Sequence, residues 1–182
     1  TYDIYRHDYE EFVTGSTSTR VTSNSGATTL FDATFYVVTT DRNVYKCLDN
    51  DGNTASTVEP TGTSTSVITT GDGYKWKYMY TLSASQQANF LSTDFMGVAT
   101  NSTVSSAAVD GALDTVKIKT AGSSYTVSGG GTSGTITAVP IRGDGSGGVC
   151  SVTLTSGAVT AVTVTTAGTG YTSGYIRNAD II

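Results

Sequence analysis

Strict alternation of apolar and polar side chains is clearest at positions 74–82, which read YKWKYMYTL. The alternating large side chains belong to Tyr74, Trp76, Tyr78, Tyr80 and Leu82. Because successive side chains of a strand point to opposite faces of its sheet, this period of two predicts a half-buried strand over Tyr74–Leu82 with its aromatic residues on one face. We expect that face to lie in a core. An aromatic face also suits stacking on a sugar or contact with another protein, and the pattern leaves these alternatives open.

A β-hairpin is predicted upstream of this strand. Phe35–Thr39 and Val44–Leu48 are rich in β-branched and aromatic residues, and they flank the turn-forming sequence Asp41-Arg42-Asn43. Asp72-Gly73 supplies another turn directly before the aromatic strand. The Ser- and Thr-rich segment Ser16–Thr29 is expected to be an exposed loop.

One helix is predicted, over Ser83–Leu91. Ser83 or Ser85 can cap its N-terminus, because a serine hydroxyl accepts a hydrogen bond from the free N–H groups of the first turn. The apolar residues that we expect to face a core are Ala88, Phe90 and Leu91.

The second half of the chain contains an internal repeat. Val116–Thr126 reads VKIKTAGSSYT and Val162–Thr172 reads VTVTTAGTGYT, so six of eleven positions are identical at an offset of 46 residues. The match extends upstream to Asp110-Gly111 and Ser156-Gly157, whose glycines permit the positive φ of a hairpin turn. Each copy is predicted to be a hairpin. Since one hairpin is marginal in water, we expect the two copies to stack on each other.

Both copies close with the motif T-A-G-x-x-Y-T. We expect Gly122 and Gly168 to end the second strand of each hairpin by letting the chain swing away. Tyr125 and Tyr171 are then expected to pack back over their own hairpins.

Composition favours a mostly β chain in two parts. Hydrophobic residues make up 37% and charged residues 14% of the chain, which has 21 Gly and 2 Pro. All but three aromatic residues lie at or before Phe95, and the small, polar segment Ala99–Ala108 is typical of a linker. We therefore predict an antiparallel sheet or sandwich core with one short helix in residues 1–100, as part of a larger domain. A small β module of two hairpin repeats is predicted in residues 101–182.

Charge and cysteine content narrow the function classes. The net charge is −5 and no Lys/Arg run is present, so the electrostatic footprint of a nucleic-acid-binding protein is missing. No apolar stretch approaches the length of a membrane span. Cys47 and Cys150 are expected to be free thiols in a reducing compartment. Because the chain opens on Thr1 rather than Met, we expect it to be processed or part of a longer protein.

No constellation of residues predicts catalysis or metal binding. The only histidine, His7, is surrounded by acidic residues that we interpret as a solvated segment: Asp3, Asp8, Glu10 and Glu11. Asp49–Asn53 (DNDGN) is similar to the start of a calcium loop with Glu59 in the region of a closing ligand, but it is also an ordinary turn. Gly143–Gly148 matches no phosphate-binding pattern. We expect no catalytic, cofactor-binding or metal-binding residues.

Four segments together carry a family resemblance. They are VYKCLDN at 44–50, STVEPTGT at 56–63, GDGYKWKYMYTL at 71–82 and FLSTDFMGV at 90–98. In this order and spacing they resemble the baseplate wedge subunit of contractile-tailed, T-even-like phages, in the versions carried by marine cyanophages. The most specific piece is Glu59-Pro60 followed by Gly-Asp-Gly-Tyr-x-Trp, and the resemblance spans Tyr2–Val98. The second half resembles the small β modules inserted into many phage tail and baseplate proteins.

This resemblance implies a building block of the virion rather than an enzyme. Wedge subunits of the family pair with a second copy and bind other wedge proteins around the tail hub, and the resemblance implies that this assembly takes place in the host cytoplasm. The resemblance also implies that Glu59-Pro60 fixes an extended approach to the strand and that the shared motif determines the fold. Family members extend beyond both Thr1 and Ile182.

The residues that we expect to matter for fold or interface are Tyr74, Trp76, Tyr78, Tyr80, Glu59, Pro60, Gly122, Tyr125, Gly168 and Tyr171. A structural subunit of a phage tail baseplate, homodimeric within a ring, is the function that we predict. The alternative is a glycan- or surface-binding β module of a tail fibre or adhesin. A tail-associated hydrolase is a third hypothesis, and it would require a pair of acidic residues in a cleft.

Overall fold

The computed structural model describes residues 1–4 and 32–181. Most of its regular structure consists of short strands in antiparallel sheets, so the predicted mostly β, antiparallel fold class is confirmed. The chain forms two compact units, Thr1–Ala107 and Ala108–Ile182. Ser16–Thr29, predicted to be a loop, lies outside the described residues, as do His7, Asp8, Glu10 and Glu11. The interpretation of Asp3 as solvated is wrong: Asp3 is buried, and its Oδ2 accepts a hydrogen bond from the Thr34 N–H at 2.8 Å.

A four-stranded antiparallel sheet organises the first unit. Its strands are β1 (Tyr36–Val38), β2 (Asn43–Asp49), β3 (Ile68–Thr69) and β4 (Lys75–Thr81), in the order β1-β2-β4-β3. The predicted hairpin is β1 and β2, and the predicted aromatic strand is β4, so both are confirmed. Arg42 adopts a φ of 63° in the turn between β1 and β2.

Aromatic side chains form the core of this unit. The fully or nearly fully buried members are Phe35, Tyr45, Cys47, Tyr74, Trp76 and Tyr78. Tyr74 and Trp76 stack with ring centroids 5.4 Å apart, and Tyr2 meets Trp76 edge-on at 5.1 Å. Because each aromatic side chain buries roughly 150–250 Å², a few of them supply most of the apolar burial in a unit with few aliphatic residues.

Tyr80 lies on the other face of the sheet, so the prediction that it shares a face with Tyr74, Trp76 and Tyr78 is wrong. Tyr45 pairs with Tyr78 and the adjacent Val44 pairs with Tyr80, which leaves Met79 as an extra residue of β4. A β-bulge of this kind shifts every later side chain to the opposite face. Tyr80 instead donates a hydrogen bond to the carbonyl of Gly97 at 3.1 Å.

The predicted helix is present as α1 (Ala84–Phe90). Ser83 is its N-cap and forms a capping box with Gln86: the Ser83 hydroxyl accepts from the Gln86 N–H, and the Gln86 side chain accepts from the Ser83 N–H. The predicted burial of its apolar residues is wrong, because Ala88 and Phe90 are exposed and Leu91 is only half-buried.

A second helix, α2 (Ser102–Ala107), lies where the sequence predicted a linker. The side chain of Asn101 accepts a hydrogen bond from the Val104 N–H at 3.0 Å, which satisfies a free donor of the first turn. Val104 packs against the aromatic core of the first unit. The small, polar residues of this segment therefore complete the first unit instead of separating two domains.

The second unit contains two antiparallel sheets. One has the order β5-β7-β8, and the other pairs β6 with β9. The strands are β5 (Gly134–Pro140), β6 (Arg142–Gly143), β7 (Val149–Thr155), β8 (Ala158–Thr166) and β9 (Gly174–Tyr175). The buried core residues are Val139, Ile141, Cys150, Val152, Leu154, Val159, Val162, Tyr171 and Ile181. Strand β5 was not predicted from the sequence.

Only the second copy of the repeat forms the predicted hairpin. In that copy, β7 and β8 pair across the Ser156-Gly157 turn. In the first copy, residues 112–126 form no strand, so the prediction of two equivalent hairpins is wrong. The residues before Asp110-Gly111 that would form the first strand of that hairpin form the helix α2 instead.

The two copies nevertheless contact each other reciprocally through residues that correspond at the offset of 46. The Tyr171 N–H donates to the Gly111 carbonyl at 3.1 Å, and the Tyr125 N–H donates to the Gly157 carbonyl at 3.0 Å. A second pair repeats the pattern at 2.9 Å in both directions: Leu113 N–H to the Ala167 carbonyl, and Val159 N–H to the Ala121 carbonyl. Each copy thus satisfies backbone groups of the other.

Candidate assembly surface

Residues 54–62 lie over the aromatic core of the first unit, and we name them the strap. Two tyrosines of the core hold its ends. The Tyr74 hydroxyl donates to the Thr54 carbonyl and the Tyr45 hydroxyl donates to the Gly62 carbonyl, each at 2.6 Å. Since a buried tyrosine hydroxyl needs a hydrogen-bond partner, these two contacts satisfy the core as well as attach the strap.

Asp72 attaches the middle of the strap. Its Oδ2 accepts hydrogen bonds from the Ser56 hydroxyl at 2.9 Å, the Thr57 N–H at 2.8 Å and the Val58 N–H at 3.0 Å. Its Oδ1 accepts from the Thr70 hydroxyl. Partial burial acts to raise the pKa of the Asp72 carboxyl, but these hydrogen bonds to its charged form outweigh burial and lower the pKa well below its ordinary value.

Glu59 and Pro60 form the last part of the strap. Glu59 Oε1 accepts from the Thr40 N–H at 2.8 Å and from the Thr40 hydroxyl at 2.9 Å, which ties the strap to the end of β1. Pro60 is buried. Glu59-Pro60 and Asp72, which belong to the most specific piece of the family resemblance, therefore both hold the strap in place.

A group of large apolar residues is exposed on the first unit, around and after α1. The exposed fractions are 60% for Phe90, 75% for Phe95 and 84% for Val98. Together with Gln86, Met96 and Gly97 they line a cavity of about 380 Å³. We name these six residues the apolar surface. Its signal in the sequence is FLSTDFMGV at 90–98, which contributed to the family resemblance but to no predicted interface.

Helix α1 has no buried residue of its own. A helix of seven residues is marginal in water, because nucleation is costly and few hydrogen bonds follow it. Most helices in proteins are stabilised by packing of an apolar face, and here that face, at Phe90, is open to solvent. The capping box at Ser83 is the main local contribution to its stability.

The repeat residues singled out from the sequence lie at tight backbone positions of the second unit. Gly122 and Gly168 have φ values of +64° and +65°. A Cβ on Gly122 would lie 2.5 Å from the Tyr125 ring, and one on Gly168 would lie 2.7 Å from the Tyr171 ring. Each tyrosine therefore packs on the glycine of its own T-A-G motif. Tyr171 is buried, whereas Tyr125 is half-buried.

Two carboxylates fasten loops of the second unit. Asp144 accepts hydrogen bonds from the Thr172 hydroxyl, from the Ser173 N–H at 3.1 Å and from the Thr172 N–H at 3.0 Å, and these lower the pKa of its carboxyl to about 2. Hydrogen bonds from Arg142 and Arg177 lower the pKa of Asp180 below its ordinary value. Both effects stabilise the charged carboxylate.

The calcium-like sequence Asp49–Asn53 forms a short 3₁₀ turn after β2. The Asn50 side chain caps this turn by accepting from the Asn53 N–H, and its Nδ2 donates to the Tyr2 carbonyl at 2.9 Å. Glu59 is engaged with Thr40. Within residues 1–4 and 32–181, no group of three His, Cys, Asp or Glu side chains could hold a metal ion.

Cys47 and Cys150 are both buried, each in a different unit, and no disulfide joins them. Burial raises the pKa of the Cys150 thiol. Neither helix of the described ranges is long and apolar enough to cross a lipid bilayer.

Comparison with models of protein families, with curated proteins and with solved structures found no match to this chain. The function proposed below therefore rests on the chain's own residues and their geometry.

Proposed function

We propose that the chain is a structural subunit of a phage tail baseplate, of the wedge type, and that it acts by assembling with other proteins in the virion. The observation that carries this proposal is the apolar surface at α1. Phe90, Phe95 and Val98 expose most of their side chains beside a helix that has no buried residue. Contiguous exposed apolar side chains of this kind mark protein interfaces, where aromatic residues and methionine are enriched.

The occupant that we propose for the apolar surface is a second copy of the chain. The net charge of −5 opposes the approach of two copies in general. All six residues of the apolar surface are uncharged, and the exposed Asp94 beside Phe95 would have to lie at the rim of a two-fold contact. Burial against a second copy would also cover Phe90 and thereby stabilise α1. Other wedge proteins would bind elsewhere on the subunit.

Oligomeric state tests the interface. We expect the purified chain to be a dimer by light scattering after size exclusion, and the triple variant Phe90→Ser, Phe95→Ser, Val98→Ser to be a monomer whose circular dichroism spectrum keeps its β-strand signal. The matched control is Val109→Ser, Tyr175→Ser, which removes two apolar residues of the second unit that are 53% and 58% exposed. A monomeric parent chain, or equal dissociation of the control, would contradict the proposed interface.

Location in the particle tests the baseplate role separately. An antibody raised against the chain is expected to label the baseplate end of contractile tails in electron micrographs of particles whose genome encodes it. Labelling of fibres alone would favour the glycan- or surface-binding alternative, and absence of the chain from purified particles would contradict both.

A further inference from the structure

A cavity of about 310 Å³ lies in the first unit between the strap and the aromatic face of the sheet. The sheet side is lined by Tyr2, Val37 and Trp76, and the strap side includes Thr57, Glu59 and Pro60. This volume is at the small end of the range for ligand pockets, so the cavity suits a small molecule or one unit of a larger one. None of these residues belongs to the apolar surface.

Trp76 is the residue that points to a ligand. Its side chain is fully buried, and its Nε1 is the one buried side-chain nitrogen or oxygen in the described part of the chain without a hydrogen-bond partner. Buried donors almost always have a hydrogen-bond partner, because a donor without one loses its hydrogen bonds to water on folding and forms none in the protein. An acceptor supplied from within the cavity would satisfy it.

The remaining polar groups of the cavity define what that acceptor belongs to. Glu59 uses Oε1 for Thr40, and its Oε2 has no partner among the described residues. The Thr57 backbone is held by Asp72, while its hydroxyl makes no hydrogen bond within the same residues. The site thus offers one donor, one charged acceptor and one hydroxyl, between apolar surfaces of Tyr2 and Pro60.

Hydroxyl groups match this arrangement because each can both donate and accept. No cationic residue is among the described residues of the lining, and Glu59 carries a negative charge, so anionic ligands are disfavoured. An extended peptide would also match the Trp76 donor through a carbonyl and Glu59 through an N–H, but a cavity of about 310 Å³ suits one ring better than a length of extended chain.

We propose that this cavity binds one neutral sugar ring, with one hydroxyl accepting from Trp76 Nε1 and another donating to Glu59. The strap is attached by hydrogen bonds that the Asp72 carboxylate accepts, that the Tyr45 and Tyr74 hydroxyls donate and that join Glu59 to Thr40, rather than by a strand ladder. Because the Trp76 side chain is fully buried, the proposal includes that the strap opens to admit the ring and closes over it. The proposal does not depend on the baseplate role: it adds a recognition site to the chain whatever the assembly.

The indole signal of the single tryptophan tests the proposal. In a ¹H–¹⁵N spectrum of the labelled full chain, Trp76 gives one indole cross-peak. We expect a saturable shift of that peak on titration with at least one of glucose, galactose, mannose and N-acetylglucosamine. N-acetylneuraminic acid, which is anionic, should leave it in place.

Two variants identify the site of binding. Glu59→Gln removes the charged acceptor, and Thr57→Val removes a hydroxyl while keeping the shape of the side chain. Each is expected to weaken the sugar affinity, by about tenfold for Glu59→Gln. Asp41→Asn, a change of one exposed carboxylate outside the cavity, should leave the affinity unchanged.

Three results would overturn the proposal. The first is an indole peak that none of the neutral sugars moves. The second is a peak that moves only with a neutral extended peptide, acetyl-Thr-Val-Thr-Val-amide, which would assign the cavity to a peptide. The third is a sugar-induced shift that Glu59→Gln and Thr57→Val leave unaltered, which would place the sugar elsewhere.

Discussion

The Tyr125 N–H donates a hydrogen bond to the carbonyl of Gly157 at 3.0 Å. The residues 46 positions away, Tyr171 and Gly111, make the same contact in the opposite direction at 3.1 Å. The tyrosine of each T-A-G-x-x-Y-T motif is thus bound to the turn glycine of the other copy. Neither copy is complete alone, so the second unit should fold only when both are present.

Substitution of the turn glycines should be unequal. A Cβ on Gly111 would lie 2.2 Å from the Tyr171 backbone nitrogen, whereas a Cβ on Gly157 would lie 3.1 Å from that of Ser124. We expect Gly111→Ala to destabilise the second unit by about 3 kcal/mol or more and Gly157→Ala by less, as measured by calorimetry. Trp76 fluorescence is unsuitable here because the tryptophan lies in the first unit.

The control for these substitutions is Gly130→Ala. Gly130 also has a positive φ, +82°, but nothing lies within 4 Å of the position that a Cβ would occupy there. The substitution should therefore show only the backbone strain, about 1–2 kcal/mol. Equal losses at Gly111 and Gly130 would mean that the reciprocal contact contributes nothing.

The two repeat tyrosines should differ in the value of their hydroxyl groups. The Tyr171 hydroxyl donates to the Ile141 carbonyl at 2.8 Å and accepts from the Gly148 N–H at 3.1 Å, both in the interior. Tyr171→Phe leaves two buried backbone groups unpaired and should cost about 1–3 kcal/mol. Tyr125→Phe should change the unfolding free energy by about 0.5 kcal/mol or less, because its hydroxyl makes no hydrogen bond within the described residues. Urea unfolding followed by circular dichroism measures both, and a larger loss for Tyr125→Phe would contradict this arrangement.

Asp72→Asn should loosen the strap. An amide keeps the size of the side chain but loses the charge that strengthens the hydrogen bonds from Ser56, Thr57 and Val58. Because Asp72 is only partly shielded from water, we expect a modest loss of about 1–2 kcal/mol in the first unit. Unfolding followed by Trp76 fluorescence measures it. The control is Asp94→Asn, which changes an exposed carboxylate away from the strap. An equal loss of unfolding free energy in this control would contradict the role of Asp72 in holding the strap.

Acid should destabilise the second unit through Asp144. Its carboxyl has a pKa of about 2 in the folded chain and an ordinary value of 3.8. A pKa lowered by folding stabilises the folded state above the unfolded value, and this stabilisation is lost as the pH falls. We therefore expect the melting temperature of the second unit to fall between about pH 5 and pH 2.

Asp144→Asn should flatten that part of the acid dependence, since an amide does not titrate. Asp110→Asn is the matched control, because it changes an exposed aspartate of the same unit whose carboxylate accepts no hydrogen bond from the described residues. Calorimetry across the pH range distinguishes the two variants. An unaltered acid dependence in Asp144→Asn would show that other carboxylates, such as Asp180, account for it.

Local pattern and local capping were enough to predict several elements. Alternation at 74–82 determined β4, because a period of two is a property of the strand itself. The β1–β2 hairpin and the Ser83 cap of α1 likewise depend on residues within one turn or one strand pair. The mostly β, antiparallel class follows from these elements together with the Thr- and Gly-rich composition.

Tertiary structure decided the burial that the local pattern predicted wrongly. Because Met79 is an extra residue in β4, Tyr80 lies on the opposite face of the sheet. Such a bulge depends on the pairing with the partner strand and not on the pattern of β4 itself. The side-chain cap of Asn101 and the packing of Val104 stabilise α2 in a segment whose composition is typical of a linker. Since these residues are helical, they cannot form the first strand of a hairpin in the first repeat copy. Asp72 and the strap meet across 14 to 16 residues of intervening chain, and no periodicity in the sequence reports such a contact. Periodicity is a property of neighbouring residues, whereas register, side-chain caps and the pairing of repeat copies are set by distant parts of the chain meeting in space.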